Sequence, residues 1–205
     1  MSEFARAKRF WTVSSQYLSL AASASNQISN NGNAYGVLSD YEPALPELSD
    51  EEIINIYMEK TEWADHNLVL PILFNMYHGL ETMLKGFLVA RNVDYKKNHG
   101  LVALHEEFCN QYPDSAGCVR SFPEKYLVQE KMPELLKEYF DGASISADEF
   151  YMALRYPESK AGGEYSHRPL KFKGRNGADF FKNLQEDIKT FVSTSVALSR
   201  SIAGE

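Results

Sequence analysis

The stretch LPILFNMYHGLETMLKGFLVARN, from Leu70 to Asn92, decides the fold class of this chain. Its apolar residues, and those just before it, recur every three or four positions over 64–91, which is the period of one face of an α-helix. Glu81 and Lys85 stand four residues apart in the order that favours an ion pair along a helix. Pro71 cannot donate a backbone hydrogen bond, so it either kinks this helix or lies in its first turn. A strand of this length and period is excluded, and we predict a long helix.

Two further long helices are predicted at the ends of the chain, over 2–25 and 177–203, because both segments keep the helical period with few breakers. Asn176 is the expected N-cap of the last one. Shorter helices are expected over 50–60, 99–111, 133–139 and from 147 to a point before Pro157, with a break at 112–119. Two of them open on capping-box patterns, Ser49 with Glu52 and Ser146 with Glu149. The fold class is therefore all-α, an antiparallel helical bundle.

Residues 156–175 (YPESKAGGEYSHRPLKFKGR) do not follow the helical period. Gly162 and Gly163 together suit the turn of a hairpin, and the residues after them alternate loosely. We predict one irregular basic loop or small hairpin between the last two helices of the bundle.

Composition limits the class of protein further. The chain has 205 residues, of which 44% are hydrophobic and 24% charged, which suits one globular domain over 1–205. No apolar run approaches the 18 residues of a membrane span, and the N-terminus carries no export signal, so a cytoplasmic protein is expected. Cys109 and Cys118, with His105 four residues before the first, lack the paired spacing of zinc ligands. No metal and no cofactor are predicted.

The charge of the chain is unevenly distributed. The formal net charge is −7, and residues 40–65 hold nine acids and one lysine. Residues 160–182 hold six basic residues and two acids, a local charge of +4. A basic stretch in an acidic protein favours a specific anionic partner. The plainer alternative is a solvated loop whose lysines keep it soluble.

Three pieces of the chain together resemble the HEPN family (higher eukaryotes and prokaryotes nucleotide-binding domains). Leu70–Asn92 resembles the family's signature helix with its Glu-x-x-x-Lys step. The segment KKNHGLVALHEEF (Lys96–Phe108) resembles the entry to the family's next helix, with Gly100 where Asp is usual. The segment FYMALRYPES (Phe150–Ser159) is similar to a Phe-Arg-Tyr-Pro stretch of several branches. The resemblance covers about residues 64–200.

The resemblance implies an antiparallel helical bundle, often a homodimer. It also implies an RNA- or nucleotide-related function in a toxin–antitoxin or phage-defence setting, often beside a nucleotidyltransferase. Active family members are metal-independent ribonucleases with an Arg-x(4–6)-His motif, and other members are catalytically silent. None of the five histidines here (His66, His78, His99, His105, His167) follows an arginine at that spacing.

Candidate site residues therefore come from the chemistry that RNA cleavage needs: a base, an acid and cations on the phosphate. We predict Arg155 and His167 as catalytic residues, brought together by the loop between them. The candidate nucleic-acid-binding residues are Arg168, Lys171, Lys173 and Arg175. His99 is the next catalytic candidate, and His78 is interpreted as a hydrogen bonder between helices. Two alternatives stay open at Arg155 and His167: a contact to RNA or nucleotide without catalysis, and a purely structural role.

The expected function is that of a HEPN-like protein that binds RNA or a nucleotide, with ribonuclease activity among the expectations. The first alternative is a catalytically silent dimerisation and partner-binding module. A weaker alternative is a small-molecule binder that uses the interior of the bundle. A homodimer, a nucleotidyltransferase-like partner and no membrane contact are expected.

Overall fold

A computed structural model of the chain describes residues 2–33, 48–93, 95, 100–114, 117–159 and 161–204. Of these residues, 77% are helical and none belongs to a strand, which confirms the all-α prediction. The α-helices among them are α1 (Glu3–Asn30), α2 (Asp50–Thr61), α3 (Asp65–Ala90), α4 (Leu101–Gln111), α5 (Cys118–Leu127), α6 (Glu134–Ala143), α7 (Ala147–Ala153) and α8 (Gly174–Ala203).

The three predicted long helices, α1, α3 and α8, pack together as a bundle. Helix α1 runs antiparallel to α3, since Ser14 bonds to Gly79 while Asn33, beyond the end of α1, bonds to Asp65 at the start of α3. It also runs antiparallel to α8, since Asn33, beyond the end of α1, bonds to Gly174 at the start of α8, while Asn26, earlier in α1, bonds to Gln185 further along α8. The bundle prediction is confirmed, and its apolar interior includes one face of each long helix.

Glycines allow α1 and α3 to approach closely. A Cβ atom on Gly79 would lie 2.6 Å from Leu18 Cγ, and one on Gly86 would lie 2.5 Å from Trp11 Nε1. The Ser14 hydroxyl donates to the Gly79 carbonyl at 2.6 Å, across the same interface. Pro71 lies inside α3, beyond its first turn, and α3 continues past it to Ala90.

Both predicted capping boxes are present. The Ser49 and Ser146 hydroxyls each accept from the backbone N–H three residues on, while Glu52 and Glu149 bond back to the cap. These hydrogen bonds lower the pKa of both glutamates, which keeps them charged at the positive end of a helix.

Helix α5 begins inside the segment that the sequence analysis assigned to a break. Its Arg120 donates to the carbonyls of Cys109 and Tyr112, at 2.8 and 3.0 Å, and so bonds carbonyls at the end of α4. The Phe122 ring stacks on Phe191 of α8, with ring centroids 4.7 Å apart. Contacts to other helices therefore stabilise α5, which the local sequence does not predict because Pro123 lies inside it.

Helix α8 begins at Gly174, three residues before the predicted start, and Asn176 is not its cap. The carboxylate that bonds its N-terminal backbone comes from Asp65 of α3. Asp65 Oδ1 accepts from the Phe172 N–H and Oδ2 from the Lys173 N–H, both at 2.7 Å. A long-range acidic cap thus replaces the local one.

Asn33 completes this buried arrangement, which we call the Asp65–Asn33 hub. Asn33 Nδ2 donates to Asp65 Oδ2 at 2.8 Å and to the Gly174 carbonyl at 2.9 Å. The Asp65 N–H donates back to Asn33 Oδ1 at 2.7 Å. Both residues are 1% exposed. The hub joins the end of α1 to the beginnings of α3 and α8.

The segment between α7 and α8 has the predicted small hairpin at its start. Glu158 and Glu164 form an isolated antiparallel bridge, and Gly162 turns the chain at a φ of +81°. A single 3-10 turn, Arg168–Leu170, follows and places Leu170 in the core.

Among the described residues, no helix combines the length and the apolar character that crossing a membrane requires.

Replacing Asp65 with Asn should destabilise the fold. The amide offers one acceptor oxygen where two backbone N–H groups and Asn33 now donate, so at least one buried donor loses its partner. We expect the free energy of unfolding in urea to fall by about 1–3 kcal/mol. Asp114→Asn, at an exposed loop position, is the matched control and should stay within about 0.5 kcal/mol of the wild type. Equal loss in both variants would contradict the role of the hub.

Candidate functional site

A buried carboxylate, Glu81 of α3, is the centre of the main polar cluster. Its side chain is 2% exposed. Lys85 Nζ lies 2.6 Å from Oε1, which confirms the predicted pair along the helix. On the other side, the Tyr151 hydroxyl donates to Oε2 at 2.8 Å and Arg155 Nη2 lies 3.7 Å from Oε2. Residues His78, Glu81, Lys85, Tyr151 and Arg155 are called the Glu81 cluster below.

The Tyr151 hydroxyl joins the two partly exposed members of the cluster. His78 Nδ1 lies 2.8 Å from this oxygen, and Arg155 Nη2 bonds to it at 2.5 Å. Burial and then the Glu81 carboxylate raise the pKa of Tyr151, so the phenol keeps its proton. Because that proton goes to Glu81, the oxygen accepts from both His78 and Arg155. The His78 ring therefore donates its Nδ1–H to Tyr151.

Aromatic rings fix the orientation of these two side chains. Phe74 stacks parallel to the His78 ring at 5.6 Å, and Tyr17 meets it edge-on at 4.5 Å. The Arg155 guanidinium lies 4.2 Å from the Tyr151 ring centroid, a cation–π contact. The His78 and Arg155 side chains remain 28% and 20% exposed. An imidazole and a guanidinium of fixed orientation thus lie side by side, both partly exposed.

His78 fulfils the role assigned to it from the sequence, a hydrogen bond between helices. The i, i+3 and i, i+4 spacings of His78, Glu81 and Lys85, and of Tyr151 and Arg155, were visible in the sequence. What the sequence did not reveal is that the two groups meet, because Glu81 and Tyr151 are 70 residues apart.

His167 lies in a different environment from Arg155, and the structure records no contact between them. Its ring donates to the Ala153 carbonyl and stacks parallel to Tyr139, with centroids 6.3 Å apart. Burial lowers the pKa of His167, which favours the neutral ring. Its Nε2 is buried without a hydrogen-bond partner. A catalytic pairing with Arg155 stays a prediction, and His78 is the histidine that shares a bonding partner with Arg155.

The four predicted nucleic-acid-binding residues all lie in residues 167–175, here called the basic segment. Arg168 and Arg175 are exposed, and Lys171 is half-buried. Lys173 Nζ lies 3.4 Å from Glu138 Oε2, and the Lys173 backbone N–H donates to Asp65. Arg168, Lys171 and Arg175 are therefore the cations best placed to meet an anion, while Lys173 already has a carboxylate partner.

The predicted absence of a metal site concerns His105, Cys109 and Cys118. His105 Nε2 lies 3.4 Å from Cys109 Sγ, and burial lowers the pKa of His105 and raises that of Cys109. The side chain of Cys118, like the whole of His99, lies outside the described part of the chain. Within the described part, no three His, Cys, Asp or Glu residues group closely enough to hold a metal ion.

Comparisons with known proteins found no counterpart. No protein-family profile, no curated protein and no solved structure matches the chain. The resemblance to the HEPN family stays a prediction.

Tyr151→Phe tests the Glu81 cluster, because it keeps the ring and removes only the shared hydroxyl. Glu81 then loses a donor, and His78 and Arg155 lose their common acceptor. We expect the free energy of unfolding to fall by about 1–3 kcal/mol. Tyr156→Phe is the matched control, since Tyr156 is 53% exposed and should tolerate the change. If Tyr151→Phe is as stable as the control, the hydroxyl does not organise the cluster.

Proposed function

We propose that this chain is a HEPN-like protein that binds RNA or a nucleotide, and that Arg155 and His78 form the place where a phosphate is bound. The single observation that carries the proposal is that both side chains bond to one buried hydroxyl, Tyr151, yet remain partly exposed. A guanidinium suits phosphate oxygens, and its position is fixed before any ligand arrives.

Metal-independent ribonuclease activity is part of the proposal. With Nδ1–H bound to Tyr151, His78 offers Nε2 as the base for a ribose 2′-hydroxyl. The 2′-oxygen attacks phosphorus to form a 2′,3′-cyclic phosphate, the bond from phosphorus to the 5′-oxygen breaks, and the leaving 5′-oxygen takes its proton from water. Arg155 would hold the charge that develops on the phosphate. Tyr151 and Glu81 keep the tautomer of His78 fixed, as a buried carboxylate does for a catalytic histidine. The pair replaces the sequence-based combination of Arg155 with His167 as the first candidate for catalysis.

The basic segment supports the binding part of the proposal. It provides exposed cations in a chain whose net charge is −7, so its attraction for a polyanion is local. His167, at its start, bonds to the Ala153 carbonyl, two residues before Arg155 along the chain. RNA bound at the basic segment would therefore lie close to the end of α7, where Arg155 follows.

The alternative is a catalytically silent dimerisation and partner-binding module. It is favoured by the bonds that already occupy Arg155, to Tyr151 and towards Glu81, and by exposed apolar side chains such as Leu20 and Met58, which are 58% and 62% exposed. Both forms of the proposal, the RNA-binding protein and the silent module, include a homodimer, a nucleotidyltransferase-like partner, a cytoplasmic location and a role in defence.

The catalytic part is tested with purified protein and single-stranded RNA in the presence of EDTA. We expect the wild type to cleave, His78→Gln and Arg155→Gln to lose at least about 100-fold in rate, and His167→Gln to stay within a few-fold. Circular dichroism of each variant checks that the fold is kept. Loss in His167→Gln with an active His78→Gln would restore the sequence-based site. An inactive wild type that still binds RNA would remove the catalytic part and keep the binding part, whereas an inactive wild type that binds no RNA would leave the silent module.

The binding part is tested by the salt dependence of RNA affinity. Arg168→Gln, Lys171→Gln and Arg175→Gln combined should reduce the slope of log affinity against log salt by about 2, since each phosphate contact on single strands contributes about 0.7. The control combines Arg9→Gln, Lys189→Gln and Arg200→Gln, which removes the same charge from exposed positions elsewhere. Equal slopes for the two triple variants would remove the basic segment from the binding site.

A further inference from the structure

A cavity of about 400 Å³ lies between α6 and the hairpin that precedes the basic segment. One wall comes from the C-terminal half of α6 and the turn after it, and the other from the chain on both sides of Gly163. Neither Arg155 nor His78 lines it. Its lining residues with aromatic or polar side chains are Glu138, Tyr139, Ser159, Glu164, Tyr165 and Ser166. The volume suits one flat heterocyclic ring with room to spare.

Two tyrosine rings give this cavity an aromatic wall. Tyr139 is 2% exposed, and its ring lies parallel to that of His167 with centroids 6.3 Å apart. Tyr165 lies 6.5 Å from the same histidine ring, between centroids. The two tyrosines are close enough that Tyr165 adds to the effect of burial in raising the pKa of Tyr139. Tyr165 is the partly exposed ring of the two and provides the π-face on which an unpaired base stacks, while Tyr139 forms the floor behind it.

The charged groups at the cavity are acceptors. The lining includes the carboxylates of Glu138 and Glu164. Glu138 is 58% exposed, and its Oε2 lies 3.4 Å from Lys173 Nζ, so one of its two carboxylate oxygens already has a partner. Glu164 has no side-chain partner among the described residues, while its backbone is fixed by the bridge to Glu158. A carboxylate with two free oxygens binds best to two adjacent N–H donors.

We infer that this cavity binds the guanine base of an RNA nucleotide, an inference that rests on the proposed RNA-binding function. Guanine is the one common RNA base whose pairing edge presents two adjacent donors, N1–H and the N2 amino group. Adenine and cytosine each place a ring acceptor beside their amino group, and uracil flanks its single donor with two carbonyls. A carboxylate repels those acceptors. Arg168, exposed and next to Pro169 of the cavity wall, is placed to bind the nucleotide's phosphate.

The test is a calorimetric titration of the full chain with GMP, with IMP and with AMP. IMP differs from GMP only in lacking the N2 amino group. We expect GMP to bind at least about tenfold more tightly than IMP or AMP, in line with a two-point contact to a base edge. Glu164→Gln should abolish that preference, and Tyr165→Ala should weaken all three. Glu130→Gln, at an exposed position outside the cavity, is the control and should keep the preference.

Equal binding of the three nucleotides by the wild type, or a preference unchanged in Glu164→Gln, would overturn the guanine assignment. Binding of spermidine but not of GMP would overturn it as well, and would assign the cavity to an organic cation. RNA binding that depends on the basic segment but shows no guanine preference would defeat this inference and leave the proposed function standing. Failure to bind any RNA would defeat the proposed function, while the GMP titration would still decide what the cavity binds.

Discussion

The buried carboxylate of Asp65 is the interaction on which the arrangement of the three long helices depends. It receives two backbone N–H groups from the entry to α8 and the side-chain amide of Asn33 beyond the end of α1. Two residues bonded to it, Asn33 and Phe172, have positive φ angles of 51° and 58°, a conformation that costs about 1–3 kcal/mol each outside glycine. Those angles persist because the surrounding hydrogen bonds require them. The basic segment is therefore held at its C-terminal end by the same carboxylate that organises the bundle.

Helix α3 carries a second buried carboxylate, Glu81, and the two differ in a way that bears on function. The donors to Asp65 are backbone N–H groups and one amide, which carry no net charge and have no chemistry of their own. The donors around Glu81 are a lysine, an arginine and a tyrosine that in turn binds a histidine. The first arrangement can only hold the fold together. The second also presents ionisable groups at the surface, which is why the Glu81 cluster is the better candidate site.

Local sequence patterns account for the parts of the fold that are built locally. The period of α3 and the capping boxes at Ser49 and Ser146 lie within a few residues, and all were predicted. The start of α8 was placed too late because its cap comes from Asp65, more than 100 residues earlier in the chain. Helix α5 was not predicted because Pro123 and the turn before it are local signals against a helix. The contact of Phe122 with Phe191 of α8, which stabilises it, cannot be seen in the local sequence. The approach of His78 to Arg155 could not be predicted for the same reason, because the two side chains are joined by Tyr151 and His78 lies on a different helix from it.

Helix α7 links the two candidate surfaces. It has seven residues, too few for a helix to be stable by itself in water, so its contacts decide whether it forms. At its start, Asp148 accepts from the Leu101 N–H and so ties it to α4. Tyr151 bonds to Glu81 on one side, while the Ala153 carbonyl accepts from His167 on the other. A displacement of α7 would therefore reach the Glu81 cluster and the start of the basic segment together. The Glu81 cluster and the start of the basic segment therefore share one short helix as their support.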